Sequence, residues 1–296
     1  MSFILAVMDL LAPAKINLFL HVIGKRPDGY HELVTLMVPI GLYDRIRLTV
    51  GGDGIRLSSN DPGLPLDRHN LAWRAADAFF NLVQKPAGLC IDLEKHIPVG
   101  AGLGGGSSDA ATVLLGLNAF FGHPFSRPQL MAAGRRLGAD VPFFLHGGPA
   151  LATGIGDVLA PCPDLAPRDV LLIFPAINVS TADVYRGLNL GLTKCRDPFK
   201  KDPLKDQRFD PARHLFNDLE SVAVARYPQI DAAKSLLIEA GAIGALMSGS
   251  GSAVFGLFAT TEDADRAVAA ITGRIAQHWK LYRCSMLTDP AVQEAG

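Results

Sequence analysis

The fold of this chain is decided by residues 98 to 108, which read Pro98-Val99-Gly100-Ala101-Gly102-Leu103-Gly104-Gly105-Gly106-Ser107-Ser108. Five of the seven residues from 100 to 106 are glycine, and the pattern that follows predicts an apolar helix from Ser108 to about Phe121. Glycine lets a backbone approach an anion closely, and a helix start offers unpaired N–H groups with partial positive charge. The stretch therefore predicts a cradle for a polyphosphate, with Ser107 or Ser108 adding a hydroxyl donor or a helix cap.

Two other nucleotide-binding patterns and one purely structural alternative compete with this interpretation. The dinucleotide fingerprint requires an acidic residue about 20 positions further on, but no Asp or Glu occurs from Ala110 to Ala139. The Walker pattern requires a lysine directly after the glycines, and none is present. A tight turn that only packs backbone against backbone stays open as an alternative, although a turn needs fewer than five glycines.

A strand near the N-terminus carries polar side chains on one face. From Lys15 to Ile23 apolar and other residues alternate, which is typical of a half-buried strand. Lys15 and Asn17 share a face. Lys15 is a candidate for stabilising charge during phosphoryl transfer. On the residues alone, a strand lysine that extends its amine to water remains the stronger interpretation.

Two further segments have both a functional and a structural interpretation. Asp140 precedes Val141-Pro142 and an apolar run, so it is either a catalytic base or the N-cap of a short helix. The pattern does not separate these two roles. Gly249-Ser250-Gly251 is either a hairpin turn or a second place where backbone amides meet a substrate phosphate, and its sequence favours the turn.

The rest of the chain predicts mixed α and β structure. A helix capped by Asn70 and ending at Val83 is predicted, and a Pro-, Lys-, Arg- and Asp-rich stretch at 192–214 predicts a solvated loop. Other strands are predicted at 30–38, 45–50, 54–58, 89–94, 170–174, 253–258 and 279–286, and other helices at 127–137, 215–226, 229–240 and 262–275. Prolines cluster near residue 165, which predicts an N-terminal domain over 1–165 and a C-terminal domain over 166–296.

Composition excludes several classes of partner. The 296 residues are 49% hydrophobic and 19% charged, with a net charge of −1. This balance gives no basic field for a nucleic acid, and no stretch approaches the roughly 20 apolar residues of a membrane span. The cysteines Cys90, Cys162, Cys195 and Cys284 are scattered, which argues against a disulfide framework or a zinc site. We expect a cytoplasmic protein that starts at Met1 or Met8.

Three segments, in their order along the chain, resemble motifs of the GHMP kinase superfamily, and the resemblance extends over nearly the whole chain. Residues 98–108 are similar to its ATP loop, Ala12-Pro13-Ala14-Lys15-Ile16-Asn17-Leu18 to its N-terminal motif, and Met247-Ser248-Gly249-Ser250-Gly251 to its C-terminal glycine motif. The resemblance implies an α/β (α+β) fold of two domains. It also implies a ribosomal-protein-S5-like N-terminal domain that binds ATP and a ferredoxin-like C-terminal domain that binds substrate, with the active site between them.

The segments 14–18, 26–33 and 138–144 together resemble one branch of that superfamily, whose acceptor is a cytidine diphosphate-linked methylerythritol. This resemblance implies ATP and Mg²⁺ as cofactors and transfer to the C2 hydroxyl of the acceptor. It implies that Asp140 is the base and Lys15 its partner, and that Asn17 binds the methylerythritol end. Tyr30 and His31 would hold the cytosine, and Tyr185, with Thr181 nearby, would supply a second aromatic ring.

Other functions remain to be distinguished from this one. Within the superfamily the alternatives are a homoserine, mevalonate or sugar kinase. Outside it they are a nicotinamide dehydrogenase and a nucleotide-binding module without catalysis. The sequence predicts neither metal ligands nor the oligomeric state.

Overall fold

The computed structural model describes residues 6–85, 87–188 and 209–288. The strands are β1 (Ala6–Lys25), β2 (His31–Val50), β3 (Ile55–Ser59), β4 (Leu89–Glu94), β5 (Ala150–Gly154), β6 (Val158–Pro161), β7 (Asp169–Phe174), β8 (Phe216–Asn217), β9 (Gly244–Met247), β10 (Val254–Phe258) and β11 (Lys280–Ser285). The helices are α1 (Leu71–Val83), α2 (Gly105–Phe120), α3 (Arg127–Leu137), α4 (Val141–His146), α5 (Thr181–Gly187), α6 (Pro211–His214), α7 (Glu220–Arg226), α8 (Gln229–Glu239) and α9 (Thr261–Thr272).

The first sheet is built around two long antiparallel strands, β1 and β2. Its strand order is β3-β4-β2-β1-β8, with β5 paired to β2 and β6 paired to β5. Helices α1 to α4 pack on this half of the molecule, and their apolar side chains form one core with those of β2 and β4. Phe79, Leu114 and Phe143 are among its fully buried members. This core fixes the start of α2, and hence the glycine loop, against β1.

The second sheet has the order β11-β7-β10-β9 and is antiparallel throughout its described pairs. Val170 and Leu172 on one face of β7 pack with residues of β1 and β2, whereas Leu171 and Ile173 on the other face pack with α7, α8 and α9. Because both faces of β7 are buried after its first residue, residues 170–174 are an unbroken apolar run. The shared core brings the turn between β9 and β10 next to the glycine loop.

Most predicted elements are present, with differences at their ends. The helix capped by Asn70 ends at Val83 as predicted, and the Asn70 side chain accepts the Ala72 N–H. The strands predicted at 30–38 and 45–50 are one strand, β2, because β1 pairs with it through several register shifts. Helix α2 begins at Gly105 rather than Ser108, so glycines of low helix propensity form its first turn.

The predicted helix over 215–226 is wrong in its first half. Only Glu220–Arg226 is helical there, whereas Phe216–Asn217 forms β8 against β1. The Asn217 side chain donates to the carbonyls of Met247 and Gly249, and Asp218 accepts the Val22 N–H. These contacts from distant parts of the chain outweigh the local helix pattern.

Several elements lie in segments without a clear pattern and were not predicted, namely β5, β6, β9 and α5. Of the stretch 192–214, residues 192–208 and Cys195 lie outside the described residues, and α6 occupies part of the remainder. The boundary near residue 165 stays a prediction. One strand from beyond it, β8, belongs to the first sheet, and Met286 forms a bridge with Ile40.

Candidate active site

A cleft of about 850 Å³ gathers residues from both sheets. The glycine loop, strand β1, the start of β2, the start of α4, helix α5 and the turn after β9 all reach it. Its lining includes most of the candidate site residues: Lys15, Asn17, Tyr30, His31, Gly100, Gly102, Gly104, Ser107, Asp140, Thr181 and Tyr185. Residues that are distant in sequence therefore meet around one volume large enough for a small molecule.

The glycine loop alternates between cleft and core. Gly100, Gly102 and Gly104 line the cleft, and all three have positive φ. Ala101 and Leu103 point inward and are buried. Their carbonyl oxygens accept hydrogen bonds from Ala253 N (3.1 Å) and Lys15 N (2.9 Å), respectively. The buried side chains of Ala101 and Leu103, together with their bonded carbonyl groups, therefore fix the loop against the protein core.

The N–H groups of the same loop are not used inside the protein. In the described part of the chain, no backbone N–H from residue 99 to residue 104 donates to a protein acceptor. Helix α2 begins directly afterwards, and the first N–H groups of a helix have no intrahelical acceptor. The loop and the helix start thus present a row of free donors, which is the arrangement that binds a phosphate chain.

The candidate loop residues do not all reach the cleft. Ser107 lines it, but Ser108 is fully buried and its hydroxyl has no partner among the described residues. Pro98, Val99, Gly105 and Gly106 are absent from the lining as well. The hydroxyl that faces the cleft is therefore that of Ser107.

The second glycine segment is the turn that its sequence favours, and it also lies at the cleft. It forms the turn between β9 and β10, and Gly249 and Ser250 also line the cleft. The Ser248 hydroxyl donates to the Gly102 carbonyl at 3.0 Å. A side chain on Gly102 would overlap the Ser248 carbonyl, and Gly102 has φ +78. Glycine is required there because two backbones touch.

Lys15 is buried and held by neighbouring polar groups. Its Nζ donates to Asn17 Oδ1 at 2.6 Å, Asn17 Nδ2 donates to Thr35 Oγ1 at 2.8 Å, and Thr35 donates to the Phe19 carbonyl. Burial lowers the pKa of Lys15 below its ordinary value, and the nearby Asp140 carboxylate opposes that shift. The lysine is therefore not a surface residue with its amine in bulk water.

Asp140 stands at the N-terminal end of α4 but does not cap it. No helix N–H bonds to its side chain, which leaves the carboxylate turned into the cleft at 37% exposure. Its Oδ2 lies 4.0 Å from Lys15 Nζ. The carboxylate and the amine thus lie side by side in the cleft lining.

Aromatic rings line the cleft at the start of β2 and on α5. His31 and Tyr185 are stacked with ring centroids 4.8 Å apart and an interplanar angle of 25°. Burial, with a smaller effect of Asp140, raises the pKa of Tyr185, so its hydroxyl stays protonated. Tyr30 also lines the cleft, but 59% of it is exposed. Thr181 Oγ1 and Ser250 Oγ lie 2.8 Å apart and join α5 to the second glycine segment.

Several functional candidates were missed by sequence reasoning. Lys25 and Arg186 bring two cations to the cleft beside the aromatic rings. Lys25 directly precedes the segment 26–33, so its position beside that motif was a signal that it belongs to the site. Arg186 and the lining residues Ile155 and Gly156 lie in segments without a pattern. The described residues hold no group of three or more His, Cys, Asp or Glu side chains suited to a metal ion.

Comparison with known proteins identifies the family. The GHMP kinases N terminal domain matches residues 70–148, and the GHMP kinases C terminal domain matches residues 204–276. A 4-diphosphocytidyl-2-C-methyl-D-erythritol kinase of Syntrophotalea carbinolica is 48% identical over 94% of this chain and 99% of the relative. The chain belongs to the GHMP kinases.

Other relatives agree with this assignment. A kinase of the same name from Geobacter sp. (strain M21) is 48% identical over 89% of this GHMP kinase and 93% of the relative. A crystal structure of a 4-(cytidine 5'-diphospho)-2C-methyl-D-erythritol kinase superposes with a TM-score of 0.79 at 39% identity, over 94% and 99% of the two chains. A homoserine kinase from Cytophaga hutchinsonii shares the fold, with a TM-score of 0.71 at 20% identity over 95% and 94% of the chains.

The comparisons confirm the predicted family and its two-domain α/β fold. This GHMP kinase is an ATP-dependent small-molecule kinase. Among the described residues, no helix combines the length and apolar character needed to cross a bilayer.

Proposed function

We propose that this kinase transfers the γ-phosphoryl group of ATP to the C2 hydroxyl of 4-diphosphocytidyl-2-C-methyl-D-erythritol. One observation carries the proposal: a single cleft joins free loop amides, a Lys15–Asp140 pair and the stacked rings of His31 and Tyr185. That combination suits an acceptor with an alcohol at one end and a planar base at the other. The names of the relatives at 45–48% identity support the same acceptor.

The triphosphate binds along the glycine loop. The unpaired N–H groups of residues 100–104 and the N–H of Ser107 in the first turn of α2 donate to its oxygens, and the Ser107 hydroxyl adds a side-chain donor. These donors are fixed before ATP arrives because the loop carbonyls are already bonded to β1 and the second glycine segment. Donors fixed in advance stabilise developing charge without reorganisation during the reaction.

Asp140 and Lys15 act on the alcohol and the transferred group. Asp140 Oδ accepts the proton of the C2 hydroxyl, while Lys15 stabilises negative charge on the phosphoryl oxygens. Asn17 holds the Lys15 amine in place by their hydrogen bond and lines the cleft where the methylerythritol end would lie. The 4.0 Å between Nζ and Oδ2 leaves both groups free to contact substrate.

Mg²⁺ is expected to enter with ATP rather than to occupy a site built by the protein. Asp140 is the sole carboxylate in the described cleft lining, and kinases commonly hold Mg²⁺ through substrate phosphates with one or two carboxylates. The ion supplies charge neutralisation on the phosphates when it is bound. No protein ligand is assigned to it.

The cytosine lies at the ring end of the cleft. Tyr185 offers a stacking surface, and His31 and Tyr30 lie beside it, with Thr181 supporting α5 through Ser250. The cations of Lys25 and Arg186 stand at the same end, where they suit the diphosphate of the acceptor.

Direct assay of the acceptor tests the function. Purified protein with ATP and Mg²⁺ is expected to consume ATP when 4-diphosphocytidyl-2-C-methyl-D-erythritol is added, and not when homoserine or mevalonate is added. Mass analysis of the product is expected to place one new phosphate on the C2 oxygen. Turnover of homoserine or mevalonate at a comparable kcat/KM would overturn the proposed acceptor.

Replacing Tyr185 with alanine tests the base site. Loss of a ring that stacks on a base weakens binding by roughly 1–3 kcal/mol, so we expect KM for the acceptor to rise about tenfold. KM for ATP is expected to change less than about twofold, because Tyr185 belongs to α5 and supplies none of the glycine-loop donors. The control is Tyr185→Phe, which keeps the ring and is expected to keep KM. Equal increases in both KM values for the alanine variant would reject the stacking role.

A further inference from the structure

A buried group of three charged residues lies behind the glycine loop and takes no part in the cleft. Asp44, Lys95 and Asp109, here called the buried triad, are all nearly inaccessible to solvent. Lys95 Nζ forms a close ion pair with Asp44 and lies 2.7 Å from Asp109 Oδ2. None of the three lines the cleft. Buried charges of this kind are costly unless they are paired, so their presence needs a physical reason.

The buried triad connects the segment that enters the loop to the helix that leaves it. Asp44 of β2 accepts the N–H groups of His96 (2.6 Å) and Ile97 (2.8 Å), directly before the loop. Asp109 lies in α2 four residues after Gly105, on the same face of the helix. A Cβ built on Gly105 would lie 3.3 Å from Lys95 Nζ. The lysine thus contacts the first turn of α2 from the side opposite the cleft.

The charges of the buried triad do not balance when all three groups are ionised. Two carboxylates then share one ammonium, which leaves one negative charge near the start of α2. Asp109 Oδ1 has no hydrogen-bond partner among the described residues. Burial raises the pKa of Asp109 to about 7, Lys95 partly offsets that effect, and Asp44 adds to it. Burial lowers the pKa of Lys95, but Asp109 and Asp44 together raise it above its ordinary value. Lys95 therefore stays charged near neutral pH.

We propose that the buried triad positions the glycine loop and sets its charge, so that protonation of Asp109 strengthens ATP binding. With Asp109 neutral, the triad carries no net charge and the positive N-terminal end of α2 faces the triphosphate unopposed. With Asp109 ionised, one negative charge behind the loop opposes the negative phosphates. The inference rests on the proposed binding of ATP along this loop.

The groups that act on Asp109 come from two elements. Lys95 follows β4 and Asp44 belongs to β2, and these are the charged residues whose fields shift Asp109 within the described chain. Tyr282 of β11 lies close enough to Asp44 to have its own pKa raised, chiefly by burial and then by that carboxylate. The affinity for ATP should therefore fall as the pH rises through about 7, because Asp109 loses its proton there.

Two substitutions lock the triad in its two charge states. Asp109→Asn keeps the size of the side chain and a hydrogen-bond acceptor for Lys95 but removes the negative charge. Lys95→Gln removes the positive charge, so the two carboxyl groups keep at least one negative charge at pH 6 as well as at pH 8. The Kd for ATP is measured by calorimetry at both pH values, without acceptor and with Mg²⁺. Because the titration of ATP itself is common to all variants, the ratio of Kd values isolates the triad.

The proposal predicts tighter ATP binding when the charge of Asp109 is removed, which a purely structural role of the triad does not produce. Asp109→Asn is expected to bind ATP about threefold to tenfold more tightly than the wild type at pH 8 and equally at pH 6. Lys95→Gln is expected to bind ATP about threefold to tenfold more weakly than the wild type at pH 6. Weaker binding by Asp109→Asn at both pH values would overturn the proposal. If the loop does not bind ATP, neither this variant nor a change at Gly102 alters Kd, which separates the two failures.

Discussion

Replacement of Asp140 by asparagine is expected to lower kcat by at least about 10²-fold, because removal of a general base typically costs 10²–10⁴ in rate. Asparagine has nearly the same shape but cannot accept the proton of the C2 hydroxyl. The side chain makes no cap hydrogen bond in α4, so the substitution removes no bond from the start of that helix. The Kd for ATP is expected to change less than about twofold, since the glycine-loop donors are untouched. Single-turnover rates and calorimetry measure the two quantities separately.

The control for this variant is Asp157→Asn. Asp157 is also a partly exposed carboxylate opposite a cation, with Arg135 Nε 3.5 Å away, but it does not line the cleft. We expect its kcat to equal that of the wild type. Near-normal turnover by Asp140→Asn would remove Asp140 from its proposed role and leave positioning and the loop as the sources of catalysis.

Replacement of Gly102 by alanine is expected to weaken ATP binding about 10²-fold. The new methyl group would collide with the Ser248 carbonyl, so the loop or the second glycine segment has to move. Movement of the loop misdirects its N–H donors, and hydrogen bonds to charged groups are worth about 1.5–3 kcal/mol each. Loss of one or two of them corresponds to about that change in affinity, since each 1.36 kcal/mol is tenfold. Calorimetric titration with ATP gives the affinity.

Gly122→Ala separates the collision from backbone strain. Gly122 lies beyond the other end of α2 with φ +77, close to the +78 of Gly102, but a Cβ there would meet no atom within 4 Å. Both variants are expected to lose stability by about 1–2 kcal/mol from the left-handed conformation. Only Gly102→Ala is expected to lose ATP affinity. If both variants bind ATP like the wild type, the loop is not the triphosphate site.

The two predictions act on different parts of the proposed reaction. Asp140→Asn is expected to spare ATP binding and remove the proton acceptor, whereas Gly102→Ala disturbs the triphosphate donors and leaves the Lys15–Asp140 pair present. Because the two sites lie on different elements, their measured effects distinguish failure of nucleotide binding from failure of chemistry.

Local pattern was sufficient for the elements whose signals lie within a few residues. Asn70 marked the start of α1, and apolar runs marked β7 and β10, because capping and burial on both faces leave direct traces in composition. The density of glycine in 100–106 likewise predicted a backbone surface for phosphates. These features depend on short-range geometry, which a single chain segment contains in full.

The roles of individual polar residues were open until the chain was folded. The residues alone favoured a solvent-exposed amine for Lys15 and did not choose between cap and base for Asp140; the fold buries the amine and leaves the carboxylate uncapped 4.0 Å from it. Nothing in the local sequence of Asp44, Lys95 or Asp109 distinguishes them from ordinary surface charges, yet they meet behind the glycine loop. Periodicity encodes which face of an element is apolar, but the distance between side chains more than 100 residues apart depends on how the elements pack. For this protein, the family and the loop followed from the order of residues, whereas the charge and hydrogen bonding at the candidate site came from tertiary contacts alone.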